Sequence, residues 1–381
     1  MKGAKISIIG GGISGLSTAI ALQKNGFKAI VYEKDAAYTG PDSGIVLSGN
    51  AIRSFMAMGI GEALLSLGVA TDTCTLKTET GKVIASFDYH SPSNIPNYLF
   101  IQRSVLHRVL TDALHPDSLH YGKQLSDFSQ EGSKKVKLMF EDGTSEETDC
   151  LIGCDGGHSL IRKKLIPGSK LTYSGFSCWR GMVENTELKN IPFTETWGPK
   201  GRFGIAPLPG NSLYWYVFKK APQQQKDMKD WTSLDLLFNF FSYHDPIQQI
   251  LEETLDENVV HDELYVLEPL GHFHFGNVLL MGDSAHASMP NIGQGASQAI
   301  EDAISLAKWV SKCKTIEQAF SQYNSHRQAR MDMVANEMKI YGRAALVDFP
   351  ILCSLRNIFL QFAPATFHNE KLKKVVEFDD L

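Results

Sequence analysis

The feature that most constrains the fold is a glycine-rich turn near the N-terminus. Residues 5–9 (Lys-Ile-Ser-Ile-Ile) are typical of a buried strand, and the segment Gly10-Gly11-Gly12-Ile13-Ser14-Gly15 follows them directly. In this spacing Gly10 permits a tight turn, Gly12 lets the backbone approach a pyrophosphate, and Gly15 lets the next helix pack on the strand. The N-terminus of that helix offers free N–H groups and a positive dipole end to phosphates. The segment therefore predicts a dinucleotide-binding site.

The residues after the turn complete a βαβ unit. Residues 16–22 have helical spacing, and residues 28–32 are typical of a second strand. Glu33 follows this strand, 23 positions after Gly10, where an acidic side chain can accept hydrogen bonds from ribose hydroxyls. We expect Glu33 and the adjacent Lys34 to contact the cofactor. This unit by itself does not distinguish FAD from NAD.

Composition excludes several other classes of protein. The chain has 381 residues, of which 43% are hydrophobic and 21% charged, as in a soluble globular enzyme. A net charge of −5 without a basic stripe argues against nucleic-acid binding. No apolar run reaches the roughly 18 residues of a membrane span. The six cysteines form no CxxC pair and no zinc-ligand spacing, so we expect no metal site and a reducing, cytoplasmic location.

A second motif lies at residues 149–162. It predicts a strand that ends in the turn Asp155-Gly156 and leads into a short helix. An aspartate in this position is also a common helix N-cap, so the motif has a purely structural interpretation as well. Upstream, Arg103 lies in the segment Gln102-Arg103-Ser104-Val105-Leu106, where it could equally be a surface salt-bridge partner.

A third motif occupies residues 278–302. An apolar strand is followed by Gly282-Asp283, and Pro290 precedes a second glycine turn, Gly293-Gln294-Gly295. A helix is expected from about Ala296. Glycines in this turn would let the backbone lie against a flat ring, and the helix N-terminus would direct its partial positive charge at that ring.

With these three motifs in this order, the chain resembles the class A, or aromatic-hydroxylase-like, flavoprotein monooxygenases over nearly its whole length. The resemblance implies non-covalent FAD, and NAD(P)H as a cosubstrate without a Rossmann fold of its own. It assigns the FAD ribityl chain to Asp283, both FAD and NAD(P)H to Asp155-Gly156, and a flavin contact to Arg103. The cofactor-binding residues expected on this basis are Gly10, Gly12, Ile13, Ser14, Gly15, Glu33, Lys34, Arg103, Asp155, Gly156, Asp283, Pro290, Gly293, Gln294, Gly295 and Ala296.

The fold class that follows is α/β, with a Rossmann-like FAD-binding domain interleaved with a mostly antiparallel β-sheet substrate domain, plus C-terminal helices. The expected boundaries are 1–75, 101–168 and 271–330 for the FAD-binding domain, 76–100 and 169–270 for the substrate domain, and 331–381 for the C-terminal helices. Within the substrate domain, alternation over 213–218 places Tyr214, Tyr216 and Phe218 on one face. We expect one face of this strand to cover the flavin.

Two segments outside the motifs carry further expectations. Residues 76–89 are typical of a hairpin with Gly81 in its turn. The segment from Ala344 to Phe367 is apolar but carries Asp348 and Arg356, so we expect helices packed on the body of the protein. Contact with a membrane surface or with a second subunit is the alternative for this segment.

The resemblance also implies the reaction. NAD(P)H would reduce FAD, and the reduced flavin would react with O₂ to form a C4a-hydroperoxide that hydroxylates a small aromatic or heteroaromatic substrate. The catalytic candidates are His286, Arg180, Tyr216 and Pro290. Among the candidate bases, His286 is nearest in sequence to the turn Gly293-Gln294-Gly295, which is expected to contact the flavin. The structural alternative is that backbone groups hold this histidine at the entry of a helix.

Other functions remain open at this point. A flavin reductase or dehydrogenase of the same superfamily would share every motif, as would a flavin-binding module without turnover. The sequence does not identify the substrate, the choice between NADH and NADPH, the base, or whether the protein is a monomer or a homodimer.

Overall fold

A computed structural model describes residues 3–40, 42–88, 94–131, 135–184, 188, 191–222 and 226–377. The strands are β1 (Lys5–Ile9), β2 (Lys28–Tyr32), β3 (Gly44–Ser48), β4 (Val69–Thr71), β5 (Thr73–Thr78), β6 (Val83–Asp88), β7 (Tyr98–Gln102), β8 (Leu119–His120), β9 (Leu125–Glu131), β10 (Lys135–Phe140), β11 (Ser145–Thr148), β12 (Cys150–Gly153), β13 (Leu171–Glu184), β14 (Thr194–Gly198), β15 (Gly201–Leu208), β16 (Ser212–Lys220), β17 (Val260–Leu267), β18 (His274–Phe275) and β19 (Val278–Leu280). The helices are α1 (Ile13–Lys24), α2 (Gly49–Met58), α3 (Gly61–Leu67), α4 (Arg103–Asp112), α5 (Leu160–Leu165), α6 (Lys226–Lys229), α7 (Ser233–Phe240), α8 (Ile247–Glu253), α9 (Asp283–His286), α10 (Gln294–Lys312), α11 (Ile316–Ala345), α12 (Pro350–Phe362) and α13 (Ala365–Val376).

A six-stranded sheet with the order β18-β19-β12-β1-β2-β8 carries the three sequence motifs. All of its strand pairs are parallel except β18 with β19. The central strands are buried runs of Ile, Leu and Val, as a sheet covered on both faces requires. The register pairs Ile9 with Gly153, and Gly153 with Leu280. The carboxyl ends of β1, β12 and β19 therefore meet at one edge, and the motifs that follow them lie side by side.

A seven-stranded sheet with the order β17-β13-β16-β15-β14-β5-β6 forms the second layer. Its pairs are antiparallel except β14 with β5. The predicted alternation along β16 is confirmed. One face packs under α7 and α8 and the other lines a cavity; the residues are Leu213, Trp215 and Val217 on the first face and Tyr214, Tyr216 and Phe218 on the second.

The predicted hairpin over 76–89 corresponds to β5 and β6, with Gly81 at a φ of +86° in the turn between them. The first strand begins at Thr73, three residues earlier than predicted, because Thr73 and Cys74 also pair with Asp88 and Phe87 of β6. Tyr89, the last residue of the predicted hairpin, lies outside the described residues.

The C-terminal part of the chain is helical. The 30-residue α11 packs on α10, while α12 and α13 pack on β6. Within the described ranges, no helix is both long and apolar enough to cross a membrane. The fold class predicted from the sequence is confirmed by this arrangement of a mainly parallel sheet, a mainly antiparallel sheet and terminal helices.

Candidate active site

A cavity of about 640 Å³ lies between the two sheets. One end is formed by the loops at the carboxyl edge of the parallel sheet, and the other by the aromatic face of the antiparallel sheet. Its size is within the range of sites for small organic ligands, which are about 300–1,000 Å³. All three sequence motifs contribute residues to its wall, which makes it the candidate active site.

The first motif forms a turn that only glycine can occupy at two positions. A Cβ on Gly15 would lie 1.9 Å from the carbonyl oxygen of Gly10, and one on Gly10 would lie 2.3 Å from that of Cys154. Gly10 also has a φ of +109°, which disfavours other residues. A Cβ on Gly12 would meet no atom within 4 Å. Gly12 is thus open toward the cavity, as a backbone that receives a phosphate must be.

Glu33 shapes this turn from the end of β2. Its carboxylate accepts hydrogen bonds from the backbone N–H of Gly11 (2.5 Å) and from that of Asp35 (3.0 Å). The carbonyl of Gly11 is bonded in turn by Nε2 of His107 (3.1 Å). Burial lowers the pKa of His107, so the neutral imidazole is favoured and its Nε2–H is the donor. The carboxylate oxygens of Glu33 retain lone pairs that these two hydrogen bonds do not use.

The second motif divides into a structural residue and an exposed backbone position. The Asp155 carboxylate accepts a hydrogen bond from the Ser159 hydroxyl (2.6 Å) and one from the backbone N–H of Ile161 (3.2 Å), which holds the start of α5. Burial raises the pKa of this carboxyl, and these bonds partly offset the effect. Gly156, at a φ of +78°, faces the cavity and has no atom within 4 Å of an added Cβ.

The third motif brings a helix N-terminus to the cavity. Asp283, Pro290 and the turn Gly293-Gln294-Gly295 all line the wall. Gly293 has a φ of +67° and caps α10, whose 19 residues begin at Gln294. The free N–H groups of this helix therefore point toward the cavity with its positive dipole end.

A fully buried charge network lies behind the third motif and contacts the turn at Gly282-Asp283. Arg327 on α11 contacts the carboxylates of Glu301 and Asp302, and all three side chains are 0% exposed. Asp302 also accepts hydrogen bonds from the backbone N–H of Gly282 (3.1 Å) and from Nε2 of His286 (2.7 Å). Burial alone would raise the pKa of Asp302, but Arg327 and His286 hold it well below its usual value. The network thus fixes the turn that presents Asp283.

Comparison with known proteins agrees with this geometry. The sequence model of the family described as "FAD binding domain" matches residues 3–337, which is most of the chain. This chain belongs to that family, the class A FAD-dependent flavoprotein monooxygenases. Aurachin C monooxygenase/isomerase from Stigmatella aurantiaca is 29% identical over 100% of this chain and 99% of that protein. The chloroplastic zeaxanthin epoxidase of an Oncidium hybrid cultivar is 28% identical over 90% of this chain, and the chain spans about half (54%) of its length.

Among solved structures, HpxO from Klebsiella pneumoniae, complexed with FAD and uric acid, has a TM-score of 0.88 and 24% identity. The alignment covers 99% of this chain and 98% of HpxO. At this identity the likeness shows the fold alone. The residues of the present monooxygenase fit FAD on their own geometry: an open glycine backbone, an acidic residue at the end of β2, and a helix N-terminus facing the cavity.

Most residues that the sequence singles out meet at this one cavity of the monooxygenase. Those on its lining are Gly12, Ile13, Ser14, Arg103, Gly156, Arg180, Tyr216, Asp283, Pro290, Gly293, Gln294, Gly295 and Ala296. Six other described residues from the prediction are not on the lining: Gly10, Gly15, Glu33, Lys34, Asp155 and His286. Gly10, Gly15 and Asp155 shape the loops, Lys34 is exposed, and His286 is bonded to Asp302.

The sequence pointed to Tyr216 but not to the buried polar cluster around it on the opposite wall. The Glu195 carboxylate accepts hydrogen bonds from the hydroxyls of Tyr216 (2.5 Å) and Tyr341 (2.8 Å) and from Nε1 of Trp197 (3.0 Å), and it contacts the Arg202 guanidinium. All five side chains line the cavity. A charged residue inside an apolar, aromatic strand was the available signal for Glu195 and Arg202. The approach of Tyr341 from α11 had no local signal.

Two properties of this cluster matter for chemistry. Burial, followed by the nearby Glu195 carboxylate, raises the pKa of Tyr216 well above its usual value, so its hydroxyl stays protonated. Nη1 of Arg202 donates to the backbone carbonyl of Asn291 (2.5 Å), which lies between Pro290 and the turn Gly293-Gln294-Gly295. The cluster is therefore tied to the third motif, on the other side of the cavity.

Proposed function

We propose that this monooxygenase uses FAD, NAD(P)H and O₂ to hydroxylate a small, planar aromatic or heteroaromatic substrate. The observation that carries the proposal is that a single cavity joins the flavin-type cradle to an aromatic wall with a buried polar cluster. The similar proteins support the same chemistry. One is named as a monooxygenase, and HpxO is complexed with FAD together with uric acid, a heteroaromatic compound.

The cofactor would be held by residues from all three motifs. We place the FAD pyrophosphate beside Gly12 to Ser14, the ribose near Glu33, the ribityl chain at Asp283, and the isoalloxazine against residues 293–296. When bound, FAD supplies the hydride-accepting and oxygen-activating chemistry. The N-terminus of α10 would stabilise negative charge on the reduced ring by about 1–2 kcal/mol. That free energy corresponds to roughly 20–45 mV for a two-electron couple.

The polar cluster would recognise a hydroxyl or N–H group on the substrate ring. Because Tyr216 and Tyr341 donate their protons to Glu195, the remaining lone pairs of their oxygens are acceptors on the cavity wall. The negative charge of Glu195 polarises these acceptors and favours a substrate that presents a proton to them. The substrate would keep this proton, and its hydrogen bond to the tyrosine oxygens would increase the electron density of the ring, which would assist attack on the oxygen that bound FAD would supply.

The remaining wall would orient the substrate and exclude water. Phe193, Trp197, Tyr214 and Phe218 form a buried aromatic surface suited to a flat ring. Arg180 lines the same cavity and contacts Asp262 on β17. We assign Arg180 to orienting an electronegative substituent of the substrate. A dry aromatic enclosure also protects the activated oxygen from side reactions with water.

The test is oxidation of NADH and NADPH by FAD-loaded protein, with and without phenols, aromatic acids and heteroaromatic compounds under ¹⁸O₂. The proposal expects one class of compound to accelerate oxidation many-fold and to gain one ¹⁸O atom by mass. Rapid NAD(P)H oxidation without labelled product from any compound would favour a flavin reductase. Failure of both nucleotides to reduce the flavin anaerobically would refute the proposed electron donor.

A further inference from the structure

Helix α12 presents an apolar surface to solvent. Six of its residues are between 52 and 82% exposed and form what we call the apolar ridge: Ile351, Leu352, Leu355, Ile358, Phe359 and Phe362. At 100° per residue these positions fall within about 120° of the helix circumference, so they form one continuous stripe. The opposite face of α12 points inward, with Cys353 buried and Leu360 on the cavity wall. The ridge is thus an outer surface of a helix that is fixed on the protein.

The charges around the ridge select among its possible partners. Helix α12 contains no acidic residue, and its one charged residue, Arg356, is held inward against the carbonyls of Ala344 and Trp197. The next helix, α13, also packs on β6 and carries one acidic residue, Glu370, against three lysines. Two of these, Lys373 and Lys374, lie in its last turn, and Lys374 is exposed. An apolar stripe with cationic residues beside it is the pattern of a helix that lies in the interface of an anionic membrane. In a dimer formed through the ridge, helix α13 of the second copy would approach α13 of the first. The like charges of their lysines would then repel each other, which disfavours a dimer.

The cavity reaches the surface at these same helices. Ile340 of α11 lines the cavity and is also 44% exposed, while Leu360 of α12 and Val375 and Val376 of α13 complete this part of the wall. If α12 lies on a bilayer, the mouth of the cavity is therefore placed at the level of the lipid. Phe238 and Phe241 at α7 are also exposed aromatics, but they lie beyond the opposite face of the seven-stranded sheet and do not line the cavity.

We propose that the apolar ridge docks this enzyme on the surface of a bilayer that contains anionic phospholipids, with α12 lying in the interface and α13 supplying the cationic contact. The ridge residues insert among the acyl chains without crossing the membrane. The inference concerns a surface and does not depend on which substrate the site takes.

The test is co-sedimentation of the FAD-loaded, full-length protein with vesicles of phosphatidylcholine alone or with about one third phosphatidylglycerol, a content that gives the surface a negative potential. The double variant Leu355→Glu/Phe359→Glu should lower the partition coefficient on the anionic vesicles by at least tenfold, which is about 1.4 kcal/mol. Lys373→Glu/Lys374→Glu should abolish the preference for anionic vesicles. The matched control is Phe238→Glu/Phe241→Glu, which places the same two charges on similarly exposed aromatics away from the ridge and should leave binding unchanged.

Folding and orientation are checked separately. Each variant must keep the wild-type melting temperature and flavin content, which the exposure of the replaced side chains favours. Phe359→Trp adds a reporter whose emission should shift to shorter wavelength when anionic vesicles are added. The proposal is overturned if the wild type binds neither kind of vesicle, or if Phe238→Glu/Phe241→Glu weakens binding as much as the ridge variant. It is also overturned if sedimentation velocity shows a dimer that Leu355→Glu/Phe359→Glu dissociates while vesicles bind neither form.

Discussion

Replacing Arg327 with methionine should destabilise the protein by removing the cation of its buried network. Arg327, Glu301 and Asp302 are fully buried, so the substitution leaves two carboxylates desolvated without their main counter-charge. Breaking a buried ion pair by removal of one partner costs about 3–5 kcal/mol. Arg330 still contacts Glu301 (2.9 Å) and His286 still contacts Asp302 (2.7 Å), so we expect the lower end, about 3 kcal/mol.

That loss translates into a measurable change in melting temperature. The entropy of unfolding is about 2.1 cal/mol/K per residue, which for 381 residues gives roughly 0.8 kcal/mol/K. A loss of about 3 kcal/mol therefore lowers the melting temperature by ~4 °C. Differential scanning calorimetry of the FAD-free and FAD-loaded protein measures this shift. The control is Arg343→Met, an exposed arginine on the same helix, which should change the melting temperature by less than about 1 °C.

The pH dependence gives an independent check with a definite sign. Burial would raise the pKa of Glu301 and Asp302, but Arg327 and its neighbours lower both below their usual values. A carboxyl with a depressed pKa contributes stability above its unfolded pKa of about 4, and the contribution is lost as the pH falls through the folded pKa. Without Arg327 the folded-state pKa of these buried carboxyls should rise above the unfolded value. In the variant, the stability that the two carboxyls contribute is then lost as the pH rises above about 4.

The stability difference between wild type and Arg327→Met should therefore grow from about pH 4 to pH 7. Chemical denaturation at several pH values measures this difference. A variant as stable as the wild type at pH 7, or a difference that shrinks as the pH rises, would refute the role of Arg327 as counter-charge.

Three further predictions concern the site. Gly15→Ala should lower the melting temperature of the FAD-free protein, because its Cβ would lie 1.9 Å from a carbonyl oxygen. Gly12→Ala should keep that temperature and weaken FAD affinity about tenfold or more in a fluorescence titration. Equal effects of the two substitutions on both measurements would contradict the assigned roles. His286→Gln should cost about 1–3 kcal/mol of stability and leave the pH profile of hydroxylation unchanged, and a lost acid limb in that profile would instead make His286 a base. Tyr341→Phe should lower kcat/KM about five- to tenfold with less than about 1.5 kcal/mol lost in stability, and unchanged kinetics would exclude Tyr341 from substrate recognition.

The sequence determined the parallel sheet and its cofactor edge. The glycine turn, the acidic residue at the end of β2 and the two later motifs all follow apolar strands, and each is a local pattern with a fixed spacing. The family resemblance that these motifs carry implied one shared cofactor site, and parallel neighbours that align their carboxyl ends bring the three loops together there. Alternation in β16 predicted its two faces, since side chains on a strand alternate regardless of what covers them.

Only the tertiary structure decided how particular side chains are used. His286 is close to the flavin turn in sequence, yet it is bonded to Asp302, whose ion pair comes from Arg327 on another helix. Tyr341 reaches Glu195 across 146 positions of the chain, a contact that no short spacing encodes. The apolar tail likewise packs on the body as expected, but the exposed stripe on α12 emerged only when its inward face was known. Local periodicity is set by backbone geometry, whereas a side chain's partner is set by which distant segments the folded core brings together.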